Sequence, residues 1–526
     1  MSELRKAKAG KADKRVAAWA ERVTDARRRK ALSFRREELM TPRPGGRSIL
    51  GRAALAIVLM VGFYALALGI AAVLLWIPYA EYTYGHRLHI KLAAICVISG
   101  FLILKAVLPR WDRFEAPGPL LQPEKQPRLF TELRGIAAAT GQEMPAEVFL
   151  VPDVNAWVSQ RGGFMGFGSR RIMGLGLPLL SMLRVTELRG VVAHEFGHYH
   201  GGDVKVGPWI YKTREALIRT VVSLAQHESW LMKPFEWYGR LFFRITHAVS
   251  RHQELEADAL AASIAGAPAL AGGLRAVHRG AMAFQPYWSS EVAPVLSAGF
   301  LPPLAGGFDR FLSEPKVAQK IAEAVLQEEQ DDKHDPYDTH PSLRDRLKAL
   351  GNPAPAVDAG PCALELLDDV SALEHELLGA VTDASEVRKL KRLAWDDVGP
   401  AVWVPSWKEF LDKHRAVLKG WTPAMLPSLD WKWLDREVAR VVKSEGDPTG
   451  AADFAVGAAL SVALVSRDFV VVAPPGGEVI LRKDDVNLEP FKLRERLATG
   501  ELKAEPWREL CARIGIADLD LGSAGA

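Results

Sequence analysis

The sequence predicts an α+β chain: a mainly helical region with a small sheet, preceded by a transmembrane helical hairpin and followed by a mixed α/β C-terminal region. Three observations carry this expectation. Two long apolar runs lie near the N-terminus, at residues 53–80 and 90–108. Helix-spaced polar residues on apolar backgrounds come later, around 185–198 and 250–260. Short β-prone runs bounded by Gly, Pro and Asn fall between and after them. At 526 residues the chain has room for two or three domains.

Residues 1–52 form a basic arm. The first fifty hold fifteen Lys or Arg against six Asp or Glu, which leaves the rest of the chain slightly acidic. Such an arm marks topology or an anionic lipid surface. No aromatic interleaving or nucleic-acid motif accompanies it, so nucleic acid is not expected as a partner. Cys96, Cys362 and Cys511 are too few and too scattered for a disulfide framework.

Residues 53–80 carry no charge and exceed the roughly 20 needed to cross hydrocarbon. Trp76, Tyr79, Tyr82 and Tyr84 gather at the far end, as interfacial aromatics do. The run is too long, and its basic leader too long, for a cleaved signal peptide. In the second run, 90–108, Lys91 and Lys105 bracket the uncharged stretch and can snorkel to the interfaces. It reads as a second span, with an interfacial or re-entrant helix as the alternative. Basic residues before the first run and after the second place both ends of a hairpin in the cytoplasm. Without the second crossing, residues 109–526 lie on the other side.

After the linker Ala116-Pro117-Gly118-Pro119, residues 126–140 read as an amphipathic helix and 146–151 as a strand. Residues 162–176 are Gly-rich with apolar alternation, but the spacing of a phosphate loop is absent. A loose strand pair is expected, its open edge suited to an extended peptide.

The sequence Val191-Val192-Ala193-His194-Glu195-Phe196-Gly197-His198 lies on an expected helix closed by Gly201-Gly202. Two His four apart lie on one helical face, so His194 and His198 can reach one ion. Glu195 points to the side where a bound water would sit, ready to accept its proton. A catalytic metal of this kind takes a third protein ligand and leaves one position open. Downstream, Ser250–Leu260 (SRHQELEADAL) puts Glu254 and Asp258 on one helical face. Glu254 is the candidate third ligand. Asp258 is the candidate acceptor for a ligating His ring N–H, fixing its tautomer. Glu256 is the nearest rival and sits about 200° round the helix; His200 and His252 lack helical spacing to the first pair. Between the two motifs, residues 204–250 are aromatic and amphipathic, with no stretch able to span a bilayer. They read as packing helices, with a membrane-surface or oligomer contact as the alternative.

HEFGH, then Gly-Gly-Asp203, then SRHQELEAD resembles the family of membrane-linked zinc metallopeptidases that includes the HtpX heat-shock protease and the CAAX prenyl protease. The resemblance covers about residues 120–351. It implies a zincin-like (gluzincin) domain with one zinc ion per chain, held by His194, His198 and Glu254, with Glu195 as general base and Asp258 as supporting acid. Asp338–Leu347 is similar to the family's HPxxxxR segment, which implies oxyanion stabilisation by His340 and Arg346. Asn155-Ala156-Trp157 resembles the family's substrate-docking edge strand. Two departures matter. Only two spans precede the motif, unlike the many-span prenyl protease branch, which argues against prenylated substrates. The insertion at 204–250 replaces the further spans usual in HtpX-type proteins, which argues for an active site on a soluble domain.

Gly351–Pro355 and Gly360-Pro361 read as a linker to residues 362–526. That region is Trp-rich and helical at first. Residues 468–482 then read as a hairpin, and 485–516 as helix again. It holds no metal, nucleotide or nucleophile signature. The sequence-level reading is a membrane-anchored zinc metalloendopeptidase acting on polypeptide substrates, its protease domain facing the cytoplasm, and the resemblance implies a role in membrane-associated protein quality control. The alternatives are a narrow-specificity processing protease and a non-catalytic zinc-containing scaffold.

Overall fold

The structure is a computed structural model that describes residues 46–86, 88–108, 114–162, 169–199, 207–226, 231–330, 341–354, 360–442 and 449–523. The chain forms two compact units. Among the described residues, one comprises residues 46–280 and 323–381, the other residues 281–322 and 382–523.

In the first of these units the apolar runs become helices α1 (Gly46–Gly85) and α2 (Ile90–Val107). Within them Ala54–Gly85 and Ile90–Val107 are long and apolar enough to cross a membrane. Pro78 is carried inside α1. The second run, whose crossing was open at the level of sequence, thus has the length of a span.

Four short strands come next: β1 (Leu120–Leu121), β2 (Glu147–Val151), β3 (Ala156–Arg161) and β4 (Arg170–Gly176), in the order β1-β2-β4-β3. β2 runs parallel to β4, and the other pairs are antiparallel. The expected strand pair at 162–176 is therefore shifted: β4 pairs with a strand that begins at Ala156. The amphipathic helix α3 (Pro127–Thr140) turns its Leu129, Leu133 and Ile136 inward and ends on Gly141 at φ +66°.

Helix α4 (Val185–Gly197) carries the HEFGH sequence. It ends at Gly197, before the expected Gly201-Gly202, which lie outside the described residues. His198 is its C-cap and keeps right-handed helical angles, so its spacing to His194 survives. Helices α5 (Gly207–Gln226) and α6 (Met232–Ala265) come after it. The second half of the aromatic insertion, from Met232 on, and the Glu254–Asp258 segment belong to one continuous 34-residue helix. Its first half packs on the apolar runs: Phe63 of α1, Ile103 of α2, Leu217 and Leu224 of α5, and Phe235 and Phe242 of α6 share one apolar cluster. Gly62 permits the approach, since a Cβ there would meet the Tyr238 hydroxyl at 2.5 Å.

Gly360-Pro361 were expected in a linker and residues 362–381 in the C-terminal region, but residues 360–381 pack on this unit. Ala363 N–H donates to Leu183 O at 2.8 Å, and Val185 N–H to Pro361 O at 3.0 Å. The Gly/Pro composition suggested a linker, but these backbone groups find partners on the segment that leads into α4. Helix α7 (Leu343–Ala349), capped by the Ser342 hydroxyl accepting from Asp345 N–H, completes the parts that matter to the site.

The second unit has its own core around α8 (Trp431–Val442) and the apolar helix α9 (Ala451–Val465). The expected hairpin is present as β5 (Val470–Val472) and β6 (Ile480–Lys483). A third strand, β7 (Val486–Leu488), stands where helix was expected. Asp484 at φ +51° opens a two-residue turn between Lys483 and Val486, a conformation that Asp tolerates better than most residues.

Candidate metal centre

Helix α4 is fixed on three sides. Arg184 N–H donates to the Glu187 carboxylate at its start. Arg189 donates through two nitrogens to Glu132 of α3 at 2.8 and 2.9 Å, and that bond holds the Glu132 carboxyl below its ordinary range. Gly197 faces α6, where a Cβ would stand 3.0 Å from the Ala257 backbone. The glycine inside HEFGH thus lets α4 close on α6 between Glu254 and Asp258.

This contact brings the sequence-selected residues together. The rings of His194 and His198 lie 4.8 Å apart, nearly perpendicular at 81°. One ligand atom from each of His194, Glu195 and His198 falls within 4.8 Å of the others. His194 Nε2 is 3.3 Å from Glu254 Oε2, and His198 Nε2 is 3.6 Å from Glu254 Oε1. Two ligands at about 2.0–2.1 Å from a tetrahedral ion stand roughly 3.3 Å apart, so these separations suit a small cation between them. Glu254 is buried, 3% exposed, while its rival Glu256 is exposed and pairs with His252.

Behind the first His lies a charged relay. His194 Nδ1 is 2.9 Å from Asp258 Oδ1, which leaves Nε2 aimed toward Glu254 and the candidate ion position. Arg346 of α7 donates to both Asp258 oxygens, from Nε at 2.8 Å and Nη2 at 2.6 Å. Asp258 is 1% exposed. Burial alone would raise its pKa, but the bonds to Arg346 and His194 outweigh this and hold it low. Burial pushes the pKa of His194 down, yet Asp258 and Glu254 reverse this and lift it to about 9. Three carboxylates, Glu195, Glu254 and Asp258, share this space with one guanidinium. The raised His194 pKa expresses that shortage of positive charge, which a metal cation would relieve.

Arg346 was expected to face the metal. Its Nε and Nη2 reach Asp258, and Nη2 also lies 3.3 Å from His194 Nδ1 and 3.4 Å from His194 Nε2, so the guanidinium sits against the ligand ring. His340 lies outside the described residues, as does His200. The sequence reading missed Tyr199. Its hydroxyl donates to Val158 O of the edge strand β3 at 3.1 Å, and the Arg171 guanidinium lies 4.3 Å from its ring centre. Burial pushes its hydroxyl up to about 12. The only signal was its place next to His198, and nothing in that position implies a partner 41 residues earlier.

Residues 123–354 match the model of peptidase family M48. Among curated relatives, the chain is 26% identical to "Protease HtpX homolog 1" of Streptomyces coelicolor over 317 residues, 54% of this chain and 90% of the relative. It is 27% identical to "Protease HtpX homolog" of Ralstonia pickettii over 214 residues, 37% of this chain and 72% of that relative. No solved structure matches the chain. The match and the two membrane-length helices together support a membrane-associated metallopeptidase.

Proposed function

With residues 123–354 matching peptidase family M48 as the premise, we propose that this chain is a zinc-dependent endopeptidase that hydrolyses polypeptides at the cytoplasmic face of a membrane. The observation that carries the reading is the convergence of His194 Nε2, His198 Nε2 and the Glu254 carboxylate at separations suited to one tetrahedral ion. In this reading these three residues would hold the ion. Bound by them, zinc would polarise the scissile carbonyl and make a bound water more acidic.

Glu195 takes the proton of the attacking water and returns it to the leaving amine. Asp258 accepts the Nδ1–H of His194, which keeps Nε2 free as a ligand. Arg346 is a positioning residue: by engaging both oxygens of Asp258 it fixes the carboxylate that orients His194. His340 is the remaining candidate donor to the oxyanion, by resemblance. A substrate strand would add along the edge strand β3, beside α4, where Tyr199 already engages the Val158 carbonyl.

Glu195→Gln tests the mechanism. The variant is expected to bind zinc as the parent does and to lose about 10²–10⁴-fold in casein hydrolysis. Full activity in that variant would sink the assignment. A role in quality control predicts that many membrane-associated proteins accumulate when Glu195→Gln replaces the parent in cells. Accumulation of a single protein would instead identify a narrow processing enzyme.

A further inference from the structure

The apolar face of α5 and of the first half of α6 is not part of the contact that the second half of α6 makes with α4. It is buried against α1 and α2, the two helices read as crossing the bilayer. The level of that contact along α1 can be read off. Tyr238 Oη donates to Leu59 O at 2.6 Å, and the Phe235 ring lies 6.4 Å from that of Phe63. At 1.5 Å per residue, Leu59 and Phe63 lie about 8 and 14 Å into the apolar stretch that begins at Ala54. That 32-residue stretch is about 48 Å long against roughly 30 Å of hydrocarbon, so about 9 Å projects at each end. Phe63 then sits about 5 Å below the hydrocarbon surface, and Phe235 sits at the same level. On α5, Arg219 Nε donates to Ala106 O at 3.4 Å, which puts that guanidinium at the same end of α2.

A helix packed on a membrane span at that level cannot have water on its outer side. Its outer side is built accordingly. Ile218 and Val222 of α5, and Leu241 and Trp237 of α6, are exposed, Trp237 to 68%. Lys233, Arg240 and Arg244 share that exposed face of α6 with Trp237, Arg240 paired to Glu236 at 2.6 Å, and their stems are long enough to reach a headgroup layer. An apolar face 5–10 Å into the acyl boundary with cations beside it is the usual form of an interfacial helix.

We propose that the α5–α6 hairpin is seated in the leaflet that surrounds the N-terminal half of α1. Its inner face lies on the transmembrane helices. Its outer face, centred on Trp237 and Leu241, contacts lipid. This gives the aromatic insertion between the two metal motifs a purpose. Because α6 is unbroken, Glu254 is held seventeen residues, about 26 Å along the helix, from Trp237. The metal ligand is thus referenced to the membrane surface by one rigid element, which favours substrates presented close to the bilayer.

The proposal rests on the reading of α1 and α2 as spans, and its test separates the two. In the full chain, with the three native cysteines replaced by serine, single cysteines are introduced by Val61→Cys, Trp237→Cys, Leu241→Cys and Glu256→Cys. Each is labelled with an environment-sensitive fluorophore and reconstituted in vesicles of phosphatidylcholine and phosphatidylglycerol. Quenching is read with lipids carrying a quencher on the upper acyl chain, and with aqueous iodide. Positions 61, 237 and 241 are expected to be quenched by the lipid probe about threefold more than position 256, which iodide should reach instead. Lipid quenching at 61 but not at 237 and 241 overturns the proposal, whether iodide reaches them or a second protein copy shields them from both probes. Absence of lipid quenching at 61 as well overturns the reading of α1 as a span. Trp237→Phe with Leu241→Cys serves if the loss of the indole disturbs folding.

Discussion

At the scale of single residues, the centre is a problem of charge balance. Asp258 serves two partners, His194 and Arg346, and both depend on it. Asp258→Asn is expected to weaken zinc binding by about 10–100-fold, because the His194 ring loses its orienting acceptor. It also strands a buried guanidinium, at about 3–5 kcal/mol of stability. The double variant Asp258→Asn with Arg346→Met should recover most of the melting temperature but not the zinc affinity. A zinc-competition titration beside a thermal melt reads the two effects apart; recovery of both would mean that Asp258 acts only through packing. The pH dependence comes from His194. Its folded pKa, about 9, is above its ordinary 6.5. The metal-free fold therefore binds a proton more tightly than the unfolded chain does. The stability this contributes is complete below pH 6.5 and is lost as pH rises through 9. Chelator-treated protein is expected to melt at progressively lower temperature across that window. Zinc-loaded protein should hold its melting temperature, because the ion takes the proton's place. Parallel behaviour of the two forms would contradict the assignment of His194 as ligand.

At the scale of elements, α6 decides most of the architecture. One end lies on α1 through Gly62 and Tyr238; the other faces α4 through Ala257 and Gly197. Both contacts are close because one partner has no side chain, so both are sensitive to added volume. Gly62→Leu is expected to push α6 from α1 and lower stability in detergent by about 1–3 kcal/mol. The smaller change Gly62→Ala should be tolerated better in a Tyr238→Phe background, which removes the hydroxyl that the new Cβ would meet. Unchanged melting in Gly62→Leu would mean that α6 does not bear on α1 as described. The periodicity of Ser250–Leu260 made the helical face of Glu254 and Asp258 readable before any fold was known. The continuity of that helix back to Met232 was not readable. The amphipathic insertion has the same period, and residues 247–250 carry no Gly or Pro to mark a boundary or its absence.

At the scale of the whole molecule, each unit carries its own buried core, and among the described residues the buried members of the cluster around α9 fall between Val404 and Leu521. Leu460→Ala, which empties a fully buried position there, is expected to cost about 2–5 kcal/mol in the melt of that unit. Zinc affinity should stay within about twofold, since sites without shared partners act about additively. A large loss of zinc binding in that variant would make the C-terminal unit part of the metal site's support.

The sequence by itself determined the pair of apolar runs, the placement of His194, Glu195 and His198 along one helix, and the pairing of Glu254 with Asp258. Those properties depend on residues within a turn or on the length of an uncharged run, and both are local. It also named Arg346, but with a different partner in view. Only the tertiary structure brought Arg346 to Asp258, 88 residues away, set Tyr199 on the edge strand, and moved residues 360–381 onto the first unit. It likewise decided that the insertion packs on the two long apolar helices α1 and α2. An amphipathic helix announces that one face will be covered, but what covers it is settled by which other surface arrives there when the chain folds.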